Sequence, residues 1–302
     1  MVKRRTVADS ATNWAFTVGW AATKGMPEAV AQQVFRTGAD ALWWQDAGGV
    51  AQLKKNLARV RPDLDPTELN KLTRAGMRSY MRYWCEAFRL PKMTPAQING
   101  RFELRGVELL DQALDSGSGA LMIPGHMANW DLAGAWAASR YGQLTTVVER
   151  LKPEKLFDQF MSYRQSLGME ALALGNPDVM RNLIERLRSG GLVALLGDRD
   201  ISRSGVQVEF FGETASFPAG PAMLASLTGA PLYPVTMHYE GPRAIGVVQD
   251  QIEVPQYLPK NERVAHMTQQ VARAFEVGID QHPEDWHMLQ KIWLGDRSPR
   301  WP

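Results

Sequence analysis

The sequence has little of several features that would assign it to a class of protein directly. Cys85 is the single cysteine among 302 residues, which excludes an internal disulfide and a four-cysteine metal site. The formal net charge is only +2, and we expect no nucleic-acid partner. No run reaches the ~18 to 20 apolar residues that span a bilayer. What remains is an ordinary globular composition, with 45% hydrophobic and 22% charged residues.

Short apolar strands alternate with helices after residue 100, and this alternation predicts an α/β fold. Three apolar runs, 119–123, 144–148 and 192–196, are each followed by a helical pattern. Such a pattern implies a mainly parallel central sheet flanked by helices. We expect a single domain over 1–302, made of a helical, membrane-proximal N-terminal region (1–100) and an α/β core (101–302).

The main functional signal is a histidine placed directly after the first of these strands. Pro124-Gly125 ends the strand, His126 follows, and a helix with Asp131 in its first turn comes next. In open α/β folds, ligands bind at this carboxyl edge of the sheet. A histidine there can act as a general base if a carboxylate orients its ring. Because the spacing also occurs by chance, the strand–turn–helix context is the main evidence that His126 is functional.

Two carboxylates are candidates for orienting the His126 ring. If His126 lies in the turn, Asp131 can fold back towards it. If residues 126–131 were all helical, the two side chains would point about 140° apart. Asp200, after the 192–196 strand, would then be the better partner. Both stay open, with Asp131 slightly favoured. Asp198 lies in the same segment after the 192–196 strand, which could converge on His126, and a helix or loop cap is its alternative role.

Further polar residues are predicted at the same edge of the sheet. Glu149 follows the 144–148 strand, and Arg164 lies on the next helix. Guanidinium groups suit phosphate oxygens, so we expect Arg164, with Glu149 nearby, to help position a phosphate-bearing or sugar portion of a substrate. Arg150 and Arg203 are weaker candidates, and each of these arginines could instead be a surface charge.

The common signatures of nucleophilic, metal and nucleotide chemistry are missing. The sequence has no Gly-x-Ser-x-Gly elbow, no His-Glu-x-x-His or other metal-ligand spacing, and no phosphate loop or dinucleotide fingerprint. A base without a protein nucleophile favours direct transfer, in which His126 activates a substrate hydroxyl to attack an activated carbonyl. We expect no metal.

A basic helix is predicted after Asp65-Pro66, which has the pattern of a helix start. Its cationic residues fall along one stripe: Lys71, Arg74, Arg78, Arg82 and Arg89. Such a stripe suits an anionic membrane surface or phosphate groups, and a solvated helix face explains it equally well. An interfacial or core helix is also expected over residues 14–22, after the basic residues 3–5.

These motifs resemble a known family. His126-x4-Asp131 after a strand is similar to the first motif of the lysophospholipid and glycerol-phosphate acyltransferase superfamily. Asp-Arg-Asp at 198–200, followed by Gly205 and Phe-Phe-Gly at 210–212, resembles the lipid A secondary acyltransferase branch. Segments 217–221 and 229–235 resemble the later blocks of that branch. Within it, the chain is most similar to the mycobacterial enzymes that acylate phosphatidylinositol mannosides.

The resemblance implies an acyltransferase bound peripherally to the cytoplasmic face of the plasma membrane. It would move a long acyl chain, palmitoyl, from acyl-CoA as co-substrate to a mannose 6-hydroxyl of a phosphatidylinositol mannoside, with no other cofactor. Gly205 and Val206 would approach the acyl donor, since glycine permits close backbone contact. Lipid A enzymes usually begin with a spanning helix, and its absence here favours peripheral binding.

Other functions stay open on the sequence alone. A lipid A-type or lysophospholipid O-acyltransferase would use the same residues on another acceptor. An acyl-CoA thioesterase or lipase would use water in place of a sugar, and the missing serine elbow argues against it. A non-enzymatic lipid-binding module would explain the basic helix and the ten tryptophans, but it gives His126 no role.

Overall fold

The computed structural model describes Thr23 and residues 25–46, 48–150, 154–202 and 204–297. The predicted helix over 14–22, the basic residues 3–5 and Arg203 lie outside the described residues. The helices are α1 (Glu28–Trp44), α2 (Gly48–Val60), α3 (Pro66–Arg89), α4 (Pro95–Arg101), α5 (Val107–Asp115), α6 (Trp130–Tyr141), α7 (Glu154–Ser166), α8 (Val179–Arg188), α9 (Gly220–Thr228) and α10 (Lys260–Gln281). The strands are β1 (Phe102–Arg105), β2 (Ala120–Pro124), β3 (Leu144–Val148), β4 (Met169–Ala173), β5 (Leu192–Ala194), β6 (Val206–Phe210), β7 (Glu213–Phe217), β8 (Leu232–Glu240) and β9 (Arg243–Val248).

Seven strands form the central sheet, in the order β1-β9-β8-β2-β5-β3-β4. The five strands from β8 to β4 in this order are parallel to one another. β9 runs antiparallel to β8, and β1 pairs in parallel with β9. The predicted α/β fold with a mainly parallel sheet is confirmed. Its central strands are continuous apolar runs because helices cover both faces of the sheet.

Helices on the two faces can be assigned from their side-chain contacts. On one face, α6 lies over the sheet, and a Cβ added to its Gly134 would meet Met169 and Leu144. On the other face, Arg186 of α8 bonds Glu170 of β4. The helices α9 and α10 lie on the same side as α8. We call these sides the α6 face and the α8 face.

The strand β5 is short, and this opens a gap in the sheet edge. Ala194 is its last residue in register with both neighbours, β2 and β3. Beyond it the chain stays beside β2, since Leu195 donates its N–H to the Met122 carbonyl (3.0 Å). β3 continues to Val148 without this neighbour. The gap lies at the carboxyl edge, where the candidate site was predicted.

Two strands were not predicted from the sequence. β4 is short and carries Glu170, and β7 begins with polar residues, so neither shows a clear apolar run. The predicted strand at 206–211 exists as β6, but it pairs only with β7 in a separate hairpin. It therefore does not contribute to the central sheet.

The basic stripe on α3 is largely paired within the protein. Arg74 and Arg78 both bind the carboxylate of Asp40 on α1. Arg82 bonds Glu86 at 2.7 Å, one turn further along the helix. These contacts hold α1 against α3 and leave fewer free cations than the sequence suggested. Of the helices described, none has both the length and the apolar character needed to cross a membrane.

Candidate active site

His126 lies in a tight turn between β2 and α6. The N–H of Met127 donates to the Gly125 carbonyl at 2.7 Å. Ala128 has a φ of 44°, which is in the left-handed region that side chains other than glycine rarely adopt. The helix begins at Trp130, whose ring meets that of His126 edge-on at 5.3 Å. The turn thus presents the imidazole at the carboxyl edge of the sheet, as predicted.

A segment near the C-terminal end of the chain holds this turn in place. Ala128 donates its N–H to the carbonyl of Asp285 at 2.9 Å. His287 donates its N–H to the carbonyl of His126 at 2.8 Å. The residues between them form an antiparallel bridge. These contacts satisfy the backbone of the turn and fix the conformation at Ala128, which is unfavourable in isolation.

The carboxylate on the His126 ring belongs to Asp198. Its Oδ1 lies 2.5 Å from Nδ1 of His126, and its Oδ2 accepts the His126 backbone N–H at 2.8 Å. The segment that contains Asp198 thus reaches His126 as expected, and the alternative role of Asp198 as a cap is wrong. The expectation that Asp131 or Asp200 orients the ring is also wrong. Three residues of nearly extended chain after β5 carry Asp198 to the end of β2, whereas Asp131 and Asp200 point elsewhere.

Asp198 is fully buried and well supplied with hydrogen bonds. Besides His126, the indole Nε1–H of Trp286 donates to its Oδ2 at 2.9 Å. Burial acts to raise the pKa of Asp198, but the interaction with His126 and these bonds outweigh it, so the pKa lies below its ordinary value. Asp198 is thus an anion that keeps the His126 proton on Nδ1 and leaves Nε2 available to a substrate.

Asp131 takes part in a different buried network. Its Oδ1 accepts from Nε of Arg164 at 3.0 Å, and its Oδ2 accepts from the Tyr83 hydroxyl at 2.8 Å. Burial, followed by the charge of Asp131, raises the pKa of Tyr83 well above its ordinary value, so this hydroxyl stays a donor. The network ties α3, α6 and α7 together one helical turn from His126.

Asp200 organises the loop after β5. It accepts hydrogen bonds from Ser202 Oγ (2.7 Å), Ser216 Oγ (2.9 Å) and the N–H of Gly205 (3.1 Å). Burial acts to raise the pKa of Asp200, but the bonds from Ser202, Ser216 and Gly205 prevail and lower it. A Cβ at Gly205 would lie 2.4 Å from Oδ2 of Asp200. The glycine is thus required by this close approach of the carboxylate, and contact of Gly205 or Val206 with a donor stays a prediction.

Glu149 and Arg199 form an ion pair across the gap between β3 and β5. Both side chains are partly exposed and lie at the same edge as His126. Arg150, by contrast, points to the surface and pairs with Glu154 at 2.6 Å. The predicted edge position of Glu149 is therefore correct, with Arg199 as its partner.

A cavity of about 610 Å³ occupies this edge of the sheet. Its volume is within the range of typical ligand pockets, roughly 300 to 1,000 Å³. His126, Asp131, Glu149, Arg164 and Asp200 line it; the loop after Asp200 contributes Ser202 and Ser204. Most of the remaining lining is apolar or aromatic. The candidate residues thus border a space suited to an aliphatic substrate with a polar portion.

A second histidine stands beside the first. Nε2 of His287 lies 2.9 Å from Ser79 Oγ, which also donates to Asp285 at 2.5 Å. Burial, followed by the charge of His126, lowers the pKa of His287 to about 3. Burial raises the pKa of Asp285 to about 6. His287 is neutral at physiological pH, so it does not compete with His126 for a proton.

One group of possible metal ligands occurs among the described residues. Ligand atoms of His282, Glu284 and Asp285 lie within 4.8 Å of one another. Both oxygens of Asp285 are already occupied, by Ser79 Oγ and by the N–H of Tyr239 (2.8 Å). The predicted mechanism without a metal stays a prediction.

The sequence contained unequal signals for the residues that were missed. Asp198 lies in the run after an apolar strand that the sequence places at the same edge as His126, so only its role as the partner of the ring was missed. Trp286 and His287 lie more than 150 residues from His126 in a segment without strand or helix periodicity. Nothing local indicates that they contact the turn, because the contact exists only once the sheet has formed.

Comparison with known proteins gives the family. The model of the family described as "Bacterial lipid A biosynthesis acyltransferase" matches residues 2–295. The chain belongs to this acyltransferase family. The phosphatidylinositol mannoside acyltransferase of Mycolicibacterium smegmatis is 43% identical over 291 residues, covering 95% of this chain and 93% of the relative. The protein of the same name from Mycobacterium tuberculosis is 43% identical over 299 residues, covering 98% and 92%.

The site of this acyltransferase has the groups that transfer to an alcohol requires. An imidazole paired with a buried carboxylate can accept a proton from a hydroxyl. The adjoining apolar cavity can hold an aliphatic chain away from water. The Glu149–Arg199 pair and Arg164 supply charged groups near His126, where the polar portions of substrates would lie.

Proposed function

We propose that this acyltransferase moves a long acyl chain, palmitoyl, from acyl-CoA to a mannose 6-hydroxyl of a phosphatidylinositol mannoside. The observation that carries the mechanism is the His126–Asp198 pair at the wall of the apolar cavity. The acceptor is suggested by the names of the two mycobacterial relatives, which cover nearly the whole chain. The long acyl chain is supported by the size and apolar lining of the cavity.

Transfer proceeds directly from donor to acceptor in this proposal. Nε2 of His126 takes the proton of the sugar hydroxyl while the oxygen attacks the thioester carbonyl. Asp198 stabilises the imidazolium that forms, as a buried carboxylate does in other histidine-based sites. When the tetrahedral intermediate collapses, the C–S bond breaks, and His126 returns the proton to the departing thiolate of coenzyme A. The products are the sugar ester and free coenzyme A.

Asp131 and Asp200 are given supporting roles. Asp131 holds Arg164 at the cavity wall, where the guanidinium faces the polar portion of a substrate. Asp200 shapes the loop that carries Ser202 and Ser204 into the lining. Glu149, with Arg199, is placed to contact the sugar hydroxyls or the phosphate.

We also propose peripheral binding to the cytoplasmic face of the plasma membrane, and the exposed residues of the cavity support the membrane contact. Three apolar lining residues are exposed at the rim of the cavity: Leu174 (36%), Ile201 (42%) and Met223 (39%). Exposed apolar side chains grouped at a cavity mouth are typical of a membrane or lipid contact. The arginines of α3 contribute less than the sequence suggested because most are paired internally. Attraction to anionic lipid would then be a smaller part of binding.

Product analysis tests the proposal. Purified protein is incubated with palmitoyl-CoA and, separately, a phosphatidylinositol mannoside, a lipid A precursor and a lysophospholipid, and products are identified by mass spectrometry. We expect acylated mannoside, and loss of ~10²–10⁴-fold in rate with His126→Ala. His266→Ala, on the partly exposed side of α10, is the control and should react normally. Fatty acid release that does not depend on any acceptor would indicate a thioesterase instead.

A further inference from the structure

The cavity extends over both faces of the sheet. In a strand, successive side chains point to opposite faces, and residues in register on neighbouring strands point to the same face. Met122, Ala194 and Thr146 are in register and lie on the α6 face. Val147 and Leu195 follow Thr146 and Ala194, so they lie on the α8 face. All five line the cavity, which therefore passes through the gap beyond β5.

The part on the α6 face lies beneath α6 and is the more enclosed of the two. It is lined by Phe102 and Leu104 of β1, Leu144 of β3, Met169 of β4 and Ala137 of α6. All of these side chains are buried. β1 and β4 are the two edges of the seven-stranded sheet, so side chains from both edges contribute to this lining. We call it the α6 chamber.

The part on the α8 face is an open chamber. It is lined by Val147 and Leu195 of the sheet, Met180 and Leu183 of α8, and Met223 and Leu224 of α9. Of the exposed rim residues, Met223 lies on α9 and Leu174 continues β4 on this side, and Ile201 lies in the loop after β5. We call it the α8 chamber.

The two chambers meet at the carboxyl edge of the sheet, beside the charged residues of the site. Glu149 and Arg199 pair across the gap in the sheet, and His126 lies at the same edge. The order along the cavity is therefore apolar, charged, apolar. A single fatty chain needs only one apolar chamber, so the second implies a second aliphatic group on the other side of a polar one.

We propose that the α8 chamber binds one fatty chain of the acceptor lipid while the acyl chain of the donor occupies the α6 chamber. This inference rests on the proposed function. The transferred chain must be withdrawn fully from water to bring its carbonyl to His126. The α6 chamber suits this chain because it is the more enclosed of the two. The acceptor chain stays close to the bilayer during the reaction, which suits a chamber with an exposed apolar rim. The polar headgroup lies between the chambers, beside Glu149 and Arg199.

Two substitutions test this assignment, and each of them narrows one of the two chambers. Met180→Trp narrows the α8 chamber, and Ala133→Phe narrows the α6 chamber; both positions are half-buried. We expect Met180→Trp to raise the KM for intact phosphatidylinositol mannoside at least about tenfold. Its KM for palmitoyl-CoA and its rate with the deacylated, water-soluble acceptor should stay within twofold of wild type. Ala133→Phe should instead raise the KM for palmitoyl-CoA.

A raised KM for palmitoyl-CoA in Met180→Trp, or no change in either KM, overturns the assignment.

Photolabelling provides a readout that needs no turnover. Phosphatidylinositol with a diazirine in one fatty chain, presented in phosphatidylcholine vesicles, should label residues 179–183 or 220–224. Diazirine-palmitoyl-CoA should label residues 133–137. Exchange of the two labelling patterns would contradict the proposal. If wild-type protein forms no acylated mannoside at all, the proposed function fails, whichever residues are labelled.

Discussion

At the scale of single residues, the chemistry depends on which carboxylate faces His126. Asp198 receives both the ring and the backbone N–H of His126, and Trp286 supplies a further bond. Asp131 follows His126 by five residues, yet its two carboxylate oxygens accept hydrogen bonds from Arg164 and Tyr83. In the proposed mechanism the two residues of the His126-x4-Asp131 motif therefore have separate tasks, since His126 transfers the proton and Asp131 supports the site.

Trp286 donates one of the hydrogen bonds that lower the pKa of Asp198, after the larger effect of His126. Trp286→Phe removes one hydrogen bond to the carboxylate, which raises the pKa of Asp198 and strengthens its attraction for the His126 imidazolium. The protonated form of His126 is then favoured, and the acidic limb of the kcat/KM profile should move to higher pH. Trp293→Phe is the matched control, since its Nε1–H bonds the Phe210 carbonyl at 3.0 Å and not Asp198. Identical pH profiles of kcat/KM for Trp286→Phe and Trp293→Phe would exclude this role of Trp286.

Replacement of Asp131 should affect the stability of the protein. Asp131→Ala leaves the half-buried guanidinium of Arg164 without its buried carboxylate. Breaking a fully buried pair typically costs about 3–5 kcal/mol, so we expect a loss of about 3 kcal/mol or less here. Asp111→Ala breaks a more exposed pair with Arg140 and should change the free energy of unfolding by about 1 kcal/mol or less. Urea unfolding of both variants makes the comparison. A normal free energy of unfolding for Asp131→Ala would contradict the stabilising role of this pair.

At the scale of elements, the strand ends could be predicted better than the contacts made there. The apolar run before Pro124-Gly125 and the helix after it are local signals, and β2 and α6 lie close to their predicted positions. The partner of His126 was not predictable in the same way. β5 ends at Ala194, and the chain beyond it follows β2 rather than β3, so Asp198 and not Asp200 reaches the ring. The C-terminal segment at 285–287 has no local pattern that indicates its contact with the turn.

The loop between β5 and β6 depends on Gly205. A Cβ there would approach Oδ2 of Asp200 to 2.4 Å and Ser216 Oγ to 2.6 Å, so Gly205→Ala must displace the loop. We expect a lower melting temperature and faster proteolysis near residue 205. Gly220→Ala is the control, because a Cβ at Gly220 meets no atom within 4 Å. If the two variants are equally stable and equally resistant to protease, the close packing around Asp200 does not constrain the loop.

At the scale of the whole molecule, the apolar rim and the paired arginines favour a mainly apolar membrane contact. Ile201→Asp combined with Met223→Asp places two charges at the mouth of the cavity and should reduce flotation with phosphatidylinositol-containing vesicles. Val277→Asp charges an exposed apolar position on α10 and should float like wild type. Loss of flotation in Val277→Asp alone, or normal flotation of the double variant, would place the membrane contact elsewhere.

The most direct test of the central claim is the turnover of Asp198→Asn beside that of Asp200→Asn, with palmitoyl-CoA and phosphatidylinositol mannoside as substrates. The amide at position 198 cannot stabilise the imidazolium of His126, so kcat should fall by ~10²–10⁴-fold. Asp200→Asn should stay within about tenfold of wild type, because its carboxylate only shapes a loop. Near-normal turnover of a folded Asp198→Asn protein would contradict the assignment of the His126–Asp198 pair as the catalytic base.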